Sequence, residues 1–549
     1  MKKRISTLIA ALAVTALGAQ AQWTPDDKAY TVLGTPGVYG QGGLKTMRTA
    51  DGRIVLTWHN TPKNVDYTDP TFGYYLYMQS FDKDGKPMLG TEGKIISAQP
   101  TKSWVSGYGT ALLPNGNVVM AYTDTRNDSD GDRGENYMYC YTPEGESVWS
   151  KDGVKMASFS TRTTWEDLEP LLCVSGNNIY AIVDHVEKYK VKADSTNWEP
   201  SPWYPDEEMP DSIEMEDNWY QVMAYDTNGK AQWEKPVEIA SGSAWMYAAP
   251  DGGVYVVYVN KGSGFDARRI GSDGKDVWAK PVTVESGTIT GGSFTDEPTV
   301  EADGNGGLMF AYRKLLTYSG YAVTNHLTAD GTVYEDEFIV NGTQDGDAET
   351  PVLAVNGGKA FVAFCYKYED NNLWVNQVAV DGDYTWEGDS LLGYSYDSNE
   401  MWGMVPVKAI AQNDGWILLY GNAQSWNGAN FYVCKIGLDG KTMWKRQIAE
   451  NNFASSGFSV VSDDDNAYIF YTCDVEYDDE WNEIEGEGGM RMMCVSIKAA
   501  TDGISSALAS DDAAEGSVYT IDGRKIEKPA TPGLYIVKRN GVAKKVYLK

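Results

Sequence analysis

Eight short apolar runs recur along the chain, and each follows a tight-turn signal. The runs are rich in β-branched and aromatic residues, and none shows the spacing of an amphipathic helix. Apolar residues on both faces are expected of strands that are covered on both sides. The pattern therefore predicts eight buried β-hairpins, at residues 50–58, 114–122, 175–183, 250–258, 305–312, 356–364, 413–420 and 464–471.

A second element follows most of these hairpins, and it places a Trp four residues after a turn Gly. Leu89 and Glu335 break this pattern in two other copies. A Trp at this place on an outer strand fills the gap to a neighbouring sheet and buries roughly 200 Å². The motif is therefore predicted to be structural, and it occurs at Trp149, Trp233, Trp278, Trp386 and Trp444.

The complete unit returns about every 59 residues, a spacing that favours a four-stranded propeller blade with long loops. Seven outer strands accompany eight hairpins, so one outer strand is missing. Residues 21–34 resemble residues 231–242, with Trp23 in the place of Trp233. We predict an all-β fold: an eight-bladed β-propeller that is closed by an N-terminal strand at residues 23–33.

The repeats resemble those of the quinoprotein-like propellers, in which a Trp docks after a Gly-Lys turn, as in the sequence DGKTMW at residues 439–444. The resemblance is confined to the repeat frame. The adjacent Cys pair of quinoprotein dehydrogenases is absent from the sequence. We therefore expect no quinone cofactor.

The two ends of the chain predict export. Residues 1–21 combine a basic start, an apolar run and small residues before Gln22, as in a secretory signal peptide. Residues 22–502 form the predicted propeller, and residues 503–515 a polar linker. Residues 516–549 resemble the short form of the C-terminal sorting domain of type IX secretion in Bacteroidota, on the motifs VYTIDGR, PGLYI and KKV. The resemblance implies the secretion machinery as a partner and a secreted or outer-membrane surface location.

The net charge of −31 excludes nucleic acid as a partner, because an acidic body repels phosphates. No segment after the signal peptide is apolar for long enough to span a membrane. The six Cys lie in apolar strand-like runs without metal spacing. The sequence favours buried free thiols, and it leaves one disulfide open, between Cys473 and Cys494.

Long loops between the second and third strands of each unit gather on one face of a propeller, so we expect the binding surface there. The insertion at 185–218 contains Trp198, Trp203 and Tyr204, which we predict as ligand-binding residues of a lid or rim. The alternative is an acidic, solvated loop. A second loop alternates acids in a way that favours a calcium site, with Asp128, Asp130, Asp132 and Glu135 as ligands. A plain charged loop remains the alternative.

The connections between blades repeat an acid followed by Pro just before the innermost strand. Trp165 and Trp402 lie in two of these connections and are predicted to contact the ligand. Glu169, Glu297 and Glu349 are the candidate catalytic carboxylates at the mouth of the channel, since glycoside hydrolysis needs two such groups. The three His are predicted to be hydrogen-bonded structural residues.

These features predict a surface or secreted β-propeller that binds glycans or glycoproteins through its aromatic and acidic loop face. A glycoside hydrolase or lyase, and a protein-interaction scaffold, remain alternatives. Catalysis is left open, and no catalytic signature such as a Ser elbow or a phosphate loop occurs in the sequence.

Overall fold

The polypeptide is described by a computed structural model over residues 31–33, 42–60, 73–101, 107–126, 134–198, 208–240, 243–261, 264–286, 298–316, 319–334, 338–339, 348–366, 373–380, 385–386, 392–394, 404–425, 428–449, 458–473, 489–497, 517–519, 525–526, 533–539 and 542–548. Within these residues 36 β-strands form nine four-stranded antiparallel sheets. No helix among them is long and apolar enough to cross a bilayer.

The first four blades take their strands in sequence order from the axis outward. Blade one contains β2 (Gly42–Arg48), β3 (Ile54–Asn60), β4 (Tyr75–Phe81) and β5 (Lys94–Ile95). Blade two contains β6 (Tyr108–Leu112), β7 (Val118–Asp124), β8 (Glu135–Tyr141) and β9 (Val154–Lys155). Blade three contains β10 (Trp165–Ser175), β11 (Asn178–Lys192), β12 (Ser212–Tyr225) and β13 (Val237–Ile239). Blade four contains β14 (Ala244–Ala248), β15 (Val254–Val259), β16 (Phe265–Ile270) and β17 (Val282–Glu285).

The next three blades repeat this order, and the eighth blade and a separate sheet depart from it. Blade five contains β18 (Thr299–Ala302), β19 (Leu308–Leu316), β20 (Ser319–Leu327) and β21 (Phe338–Ile339). Blade six contains β22 (Ala348–Asn356), β23 (Lys359–Tyr366), β24 (Leu373–Ala379) and β25 (Leu392–Tyr394). Blade seven contains β26 (Met404–Gln412), β27 (Gly415–Ser425), β28 (Gly428–Gly437) and β29 (Thr442–Ala449). Blade eight contains β30 (Phe458–Ser462), β31 (Asn466–Cys473), β32 (Gly489–Ser496) and β1 (Thr31–Leu33). The ninth sheet contains β33 (Ser517–Tyr519), β34 (Lys525–Ile526), β35 (Gly533–Arg539) and β36 (Val542–Leu548), in the order β34-β33-β35-β36.

The hydrophobic core is distributed over the seams between blades. Each of the eight core clusters among the described residues combines side chains of two adjacent blades. One of them joins Leu56 of blade one to Phe470 of blade eight, so the ring is closed. Every residue of β7 is buried, because the strand is covered by a blade on each side. The structure thus confirms the predicted eight-bladed all-β propeller.

The repeated Trp fills the seam as predicted. The Trp386 side chain is 5% exposed, and its indole N–H donates to the Leu438 carbonyl of blade seven at 2.9 Å. A Cβ at Gly440 would lie only 3.1 Å from the same ring. Three other Trp residues donate to the carbonyl two residues before the next blade's turn Gly: Trp149 to Thr227 at 3.1 Å, Trp233 to Ser272 at 3.0 Å and Trp278 to Ala329 at 3.3 Å.

The N-terminal strand closes the eighth blade. Thr31 pairs with Met492 and Leu33 with Met490, both on β32. The ring therefore ends on a strand from the opposite end of the chain, and the predicted closure is confirmed. Trp23 lies outside the described residues.

The structure contradicts the disulfide between Cys473 and Cys494, which the sequence left open as the alternative to free thiols. On the paired strands β31 and β32, Cys473 lies opposite Gly489, whereas Cys494 lies opposite Tyr468. The two Cys are therefore far out of register, and Cys494 carries a free thiol. Burial raises the pKa of the Cys494 thiol to about 12, which leaves it protonated and unreactive at neutral pH.

We expect Gly440→Ala to destabilise the protein more than Gly116→Ala does. Both glycines have a positive φ, 79° and 85°, so both variants carry the same backbone penalty of about 1 kcal/mol. At Gly116 a Cβ meets nothing within 4 Å, whereas at Gly440 it meets the Trp386 ring. Overpacking adds about 1–3 kcal/mol to the free energy lost at Gly440. Urea unfolding of both variants measures the difference, and equal midpoints would contradict Trp docking as a stabilising contact.

Candidate functional site

The hairpin formed by β11 and β12 in blade three is longer than the corresponding hairpins of the other blades, among the described residues. β11 and β12 remain paired as far as Lys192 opposite Ser212. The expectation of a loop over residues 185–218 is therefore wrong for its two ends, which continue the strands. Lys188 lies opposite Glu216 in this extension, and opposite charges across a strand pair favour pairing.

The strand register gathers five residues at the loop-rich end of blade three. Asp167 on β10 pairs with His185 on β11, which pairs with Trp219 on β12. Trp165 pairs with Glu187 two positions further on. Because side chains alternate along a strand, all five lie on one face of the sheet. This face continues into the core shared with blade two, and we call these five residues the rim cluster.

His185 forms the centre of the rim cluster and is completely buried. Its Nδ1 donates to the Asp167 carboxylate at 2.6 Å, and its Nε2 lies 3.7 Å from Glu187 Oε1. The imidazole also contacts two indoles, with ring centroids 5.9 Å from Trp165 and 4.8 Å from Trp219. Two carboxylates and two aromatic rings thus surround one titratable ring.

This environment favours the charged imidazolium. Burial lowers the pKa of His185, but the hydrogen bond and charge of Asp167, together with Glu187, outweigh burial and raise the pKa above its usual value. Aromatic rings also attract a cation at short range. The surroundings of His185 therefore stabilise its protonated form relative to its neutral form.

Glu187 ties the connection between blades two and three to this hairpin. Its carboxylate accepts from Ser160 Oγ at 2.7 Å and from the Thr161 backbone N–H at 2.6 Å, and Arg162 Nε lies 3.2 Å away. Burial raises the pKa of Glu187, but these hydrogen bonds bring it to about 2. The Arg162 guanidinium also stacks on Tyr189 at 3.8 Å. Glu187 is therefore an anchor that stays ionised.

The opposite face of the same strands carries a different carboxylate. Asp184 lies opposite Leu168 and Tyr220 and is half-buried. Its Oδ1 is buried and has no hydrogen-bond partner among the described residues. Burial, and then the charge of Glu169, raise the pKa of Asp184 to about 6. This acid is protonated far more readily than an ordinary aspartate.

Glu169 lies on the innermost strand, in the break of register between Leu168 and Leu171. It is exposed, and its φ of 47° is the one positive value among the described non-glycine residues. Its neighbour across the seam is Gly107 of blade two, where a Cβ would lie 3.5 Å from the Glu169 Cβ. The bulge therefore presents a carboxylate at a position where the backbone favours glycine.

The structure places two predicted site residues on one strand and separates others. Trp165 and Glu169 lie on β10 at the same end of blade three. Trp198 is half-buried beyond the end of β11, and its backbone N–H donates to the Asp194 carbonyl at 3.0 Å. Glu349 pairs with Cys365 just before the bulge of blade six, so its counterpart in blade three is Leu168 and not Glu169. The remaining predicted residues Glu297, Trp203, Tyr204 and Trp402 lie outside the described residues.

The predicted calcium site is described at one ligand only. Glu135 is buried in β8, and its carboxylate accepts from Lys155 Nζ at 2.8 Å. Asp128, Asp130 and Asp132 lie outside the described residues. Among the residues that the structure describes, no three His, Cys, Asp or Glu side chains are arranged to hold a metal ion.

Asp167, Asp184 and His185 lie at this end of blade three and were not among the predicted site residues. His185 is hydrogen-bonded, as the prediction for the histidines states, but its partners were not identified. The sequence contains one relevant signal: aromatic or acidic residues occupy every second position at 165, 167 and 169, and His and Glu occupy positions 185 and 187. Only the strand register shows that these two series face each other.

No known protein-family model matches the sequence, and no curated protein matches it. Several solved structures are similar in shape at low identity. The structure of puromycin hydrolase is 10% identical with a TM-score of 0.40, and the match covers 81% of this chain and 62% of the hydrolase. The GH93 α-L-arabinofuranosidase of Fusarium graminearum is 11% identical with a TM-score of 0.35, over 87% of this chain and 97% of the enzyme. The β-propeller domain of the trilobed protease from Pyrococcus furiosus is 8% identical with a TM-score of 0.36, over 75% of this chain and 99% of that domain. The chain thus spans less than two thirds of the hydrolase, and similarity this low does not transfer an activity.

Proposed function

We propose that the protein is an exported β-propeller that binds glycans or glycoproteins at the loop-rich end of blade three. The observation that carries the proposal is the exposed carboxylate of Glu169 on a strained bulge of the innermost strand. A non-glycine residue in the left-handed region costs about 1–3 kcal/mol, and such strain concentrates at functional sites. A glycine would adopt this backbone conformation without the strain. We infer that the Glu169 carboxylate has a role that offsets the cost.

The groups around Glu169 match the chemistry of a sugar ring. Asp184 on the paired strand adds a second, half-buried carboxyl group whose pKa is raised by the Glu169 charge, and carboxyl oxygens accept hydrogen bonds from sugar hydroxyls. Trp165 adds a half-buried aromatic ring from the same strand. Binding sites of this kind combine aromatic surface with a few placed polar groups.

The test is retention of the mature protein on a panel of immobilised glycans, with Glu169→Gln, Glu169→Gly and the unmodified protein compared. We expect both variants to lose at least tenfold in affinity, because both remove the carboxylate. Only Glu169→Gly relieves the backbone, so its melting temperature should rise, whereas Glu169→Gln should melt as the unmodified protein does.

Glu234→Gln is the matched control, since Glu234 is exposed and lies beside Trp233, at the turn side of blade three. It removes one surface charge and should leave retention unchanged. Equal losses at Glu169 and Glu234 would mean that net charge drives retention. If no glycan is retained by the unmodified protein, the proposal is wrong.

One observation favours glycoside hydrolysis as a second candidate function. Asp184, with a pKa of about 6, and Glu169 have different environments, and hydrolysis needs one protonated and one ionised carboxyl group. In this case the protein releases new reducing ends, at a rate that falls as pH rises through about 6 and Asp184 loses its proton. Asp184→Asn should abolish release and keep glycan retention. Retention without release from the unmodified protein would exclude this candidate for the glycans tested.

We also propose that the C-terminal sheet β33 to β36 is the export signal of the type IX machinery, and that the protein is displayed on or released from the cell surface. The support is the resemblance of residues 516–549 to sorting domains of Bacteroidota. A chain truncated after Ala514 should remain inside the outer membrane in such a host, while its propeller still melts cooperatively. Surface display of the truncated chain, seen by antibody labelling of intact cells, would contradict this role.

A further inference from the structure

The rim cluster contains a buried titratable ring, that of His185, which the proposed binding site does not itself use. His185 contacts Trp165, and through Glu187 it is linked to the connection at residues 160–162. Trp165 lies on β10, the strand that also carries Glu169, and residues 160–162 come shortly before this strand in the chain. We propose that His185 is a positioning residue whose protonated form holds Trp165 and this connection in place, so that the ligand-binding end of blade three loosens when His185 loses its proton. The glycan-retention measurement for this inference rests on the proposed glycan binding, whereas the NMR measurements of His185 and Trp165 do not.

The contacts of His185 explain why its charge is needed. A neutral imidazole can keep the Nδ1–H bond to Asp167, at 2.6 Å. It has no electrostatic attraction for Glu187, whose oxygen is 3.7 Å from Nε2, too far for a hydrogen bond. Deprotonation of His185 therefore weakens its attraction for Glu187, which binds residues 160–162, and leaves its hydrogen bond to Asp167 in place.

Some charged groups around His185 stabilise its protonated form and others destabilise it. On β10 and β11, Asp167 and Glu187 stabilise the cation, and Asp184 adds negative charge from the opposite face. Arg162 from the connection lies 3.2 Å from Glu187 and competes for it. Lys155 of blade two lies 5.9 Å from the Trp165 ring.

Further from His185, the charges are already paired with each other. Asp217 of β12 lies 3.4 Å from Arg162, and Glu135 of blade two lies 2.8 Å from Lys155. These pairs neutralise the two cations that oppose imidazolium formation. The carboxylates of Asp167 and Glu187 therefore dominate the field at the ring.

The sign of the pH dependence follows from this arrangement. The folded state raises the pKa of His185 above the unfolded value of about 6.5. The contribution of the cation to stability is then fully present below about pH 6.5 and is lost as the pH rises through the folded pKa. Glycan retention should follow the same curve, and it can fall by at most about tenfold per pH unit for one proton.

The test uses the whole mature protein and follows two nuclei. The imidazole signals of the three histidines are titrated by ¹⁵N NMR, with His185→Gln to assign the signal. Trp165 is followed by ¹⁹F NMR in protein that carries 5-fluorotryptophan, with Trp165→Phe to assign it. We expect His185 to titrate above pH 6.5, and the Trp165 signal to broaden or shift with the same midpoint. Asp167→Asn should move both midpoints to lower pH, a shift that a purely structural role does not produce.

His326→Gln is the matched control, because His326 is also buried and bonded to a carboxylate, Asp303, at 2.8 Å in blade five. This variant should leave the Trp165 transition unchanged, and His185→Gln should abolish it. A His185 that titrates below pH 6.5, or a Trp165 signal that does not follow it, overturns the inference. If both nuclei behave as expected and no glycan binds at any pH, the proposed function fails and the positioning role stands.

Discussion

The ring depends on one repeated contact, in which a tryptophan after the third strand of blades two, three, four and six lies on the turn glycine of the next blade. The contact combines apolar burial with a hydrogen bond, since the indole N–H donates to a carbonyl beside the turn, as Trp386 does to Leu438. It sets the distance between blades at their outer edge, and the seam clusters then fill the space further inward. In the copy where Leu89 replaces Trp, a Cβ at Gly145 would lie 2.7 Å from Leu89 Cδ2, so packing is kept while the hydrogen bond is lost.

The apolar seams between blades restrict charged side chains to the ends of the blades. The middle of each seam is apolar, and an unpaired charge there would cost several kcal/mol. The charged groups of the rim cluster lie at the loop-rich end of the seam, where Asp167 accepts a hydrogen bond from His185 and Glu187 lies 3.7 Å from the same ring. A buried ion pair adds little net stability, but losing one partner is costly because the other charge is left uncompensated. The rim cluster is therefore a device for fixing positions more than for raising stability.

The sequence was sufficient for the parts of the fold that repeat. Turn glycines, apolar runs and the docked Trp predicted eight blades, and the resemblance of residues 21–34 to residues 231–242 predicted the closing strand. The site was harder, because it depends on register. Glu169 lies directly before the Pro of its motif, whereas Glu349 lies one residue further from the Pro. This offset places Glu169 in the bulge and Glu349 in a paired position. The extension of β11 and β12 was also missed, because its alternating charges obscure the apolar pattern by which strands are recognised.

The alternation of side chains gives one strand two roles. On β11, His185 and Glu187 face blade two and are held by hydrogen bonds with Asp167 and Ser160, whereas Asp184 faces blade four and keeps an oxygen without a partner among the described residues. The first pair cannot easily exchange protons with a ligand, since both groups are buried and bonded. Asp184 is half-buried, and its pKa of about 6 allows it to gain or lose a proton near neutral pH. The two faces of β11 therefore differ, because one is held by hydrogen bonds and ion pairs and the other carries a carboxyl group that titrates near neutral pH.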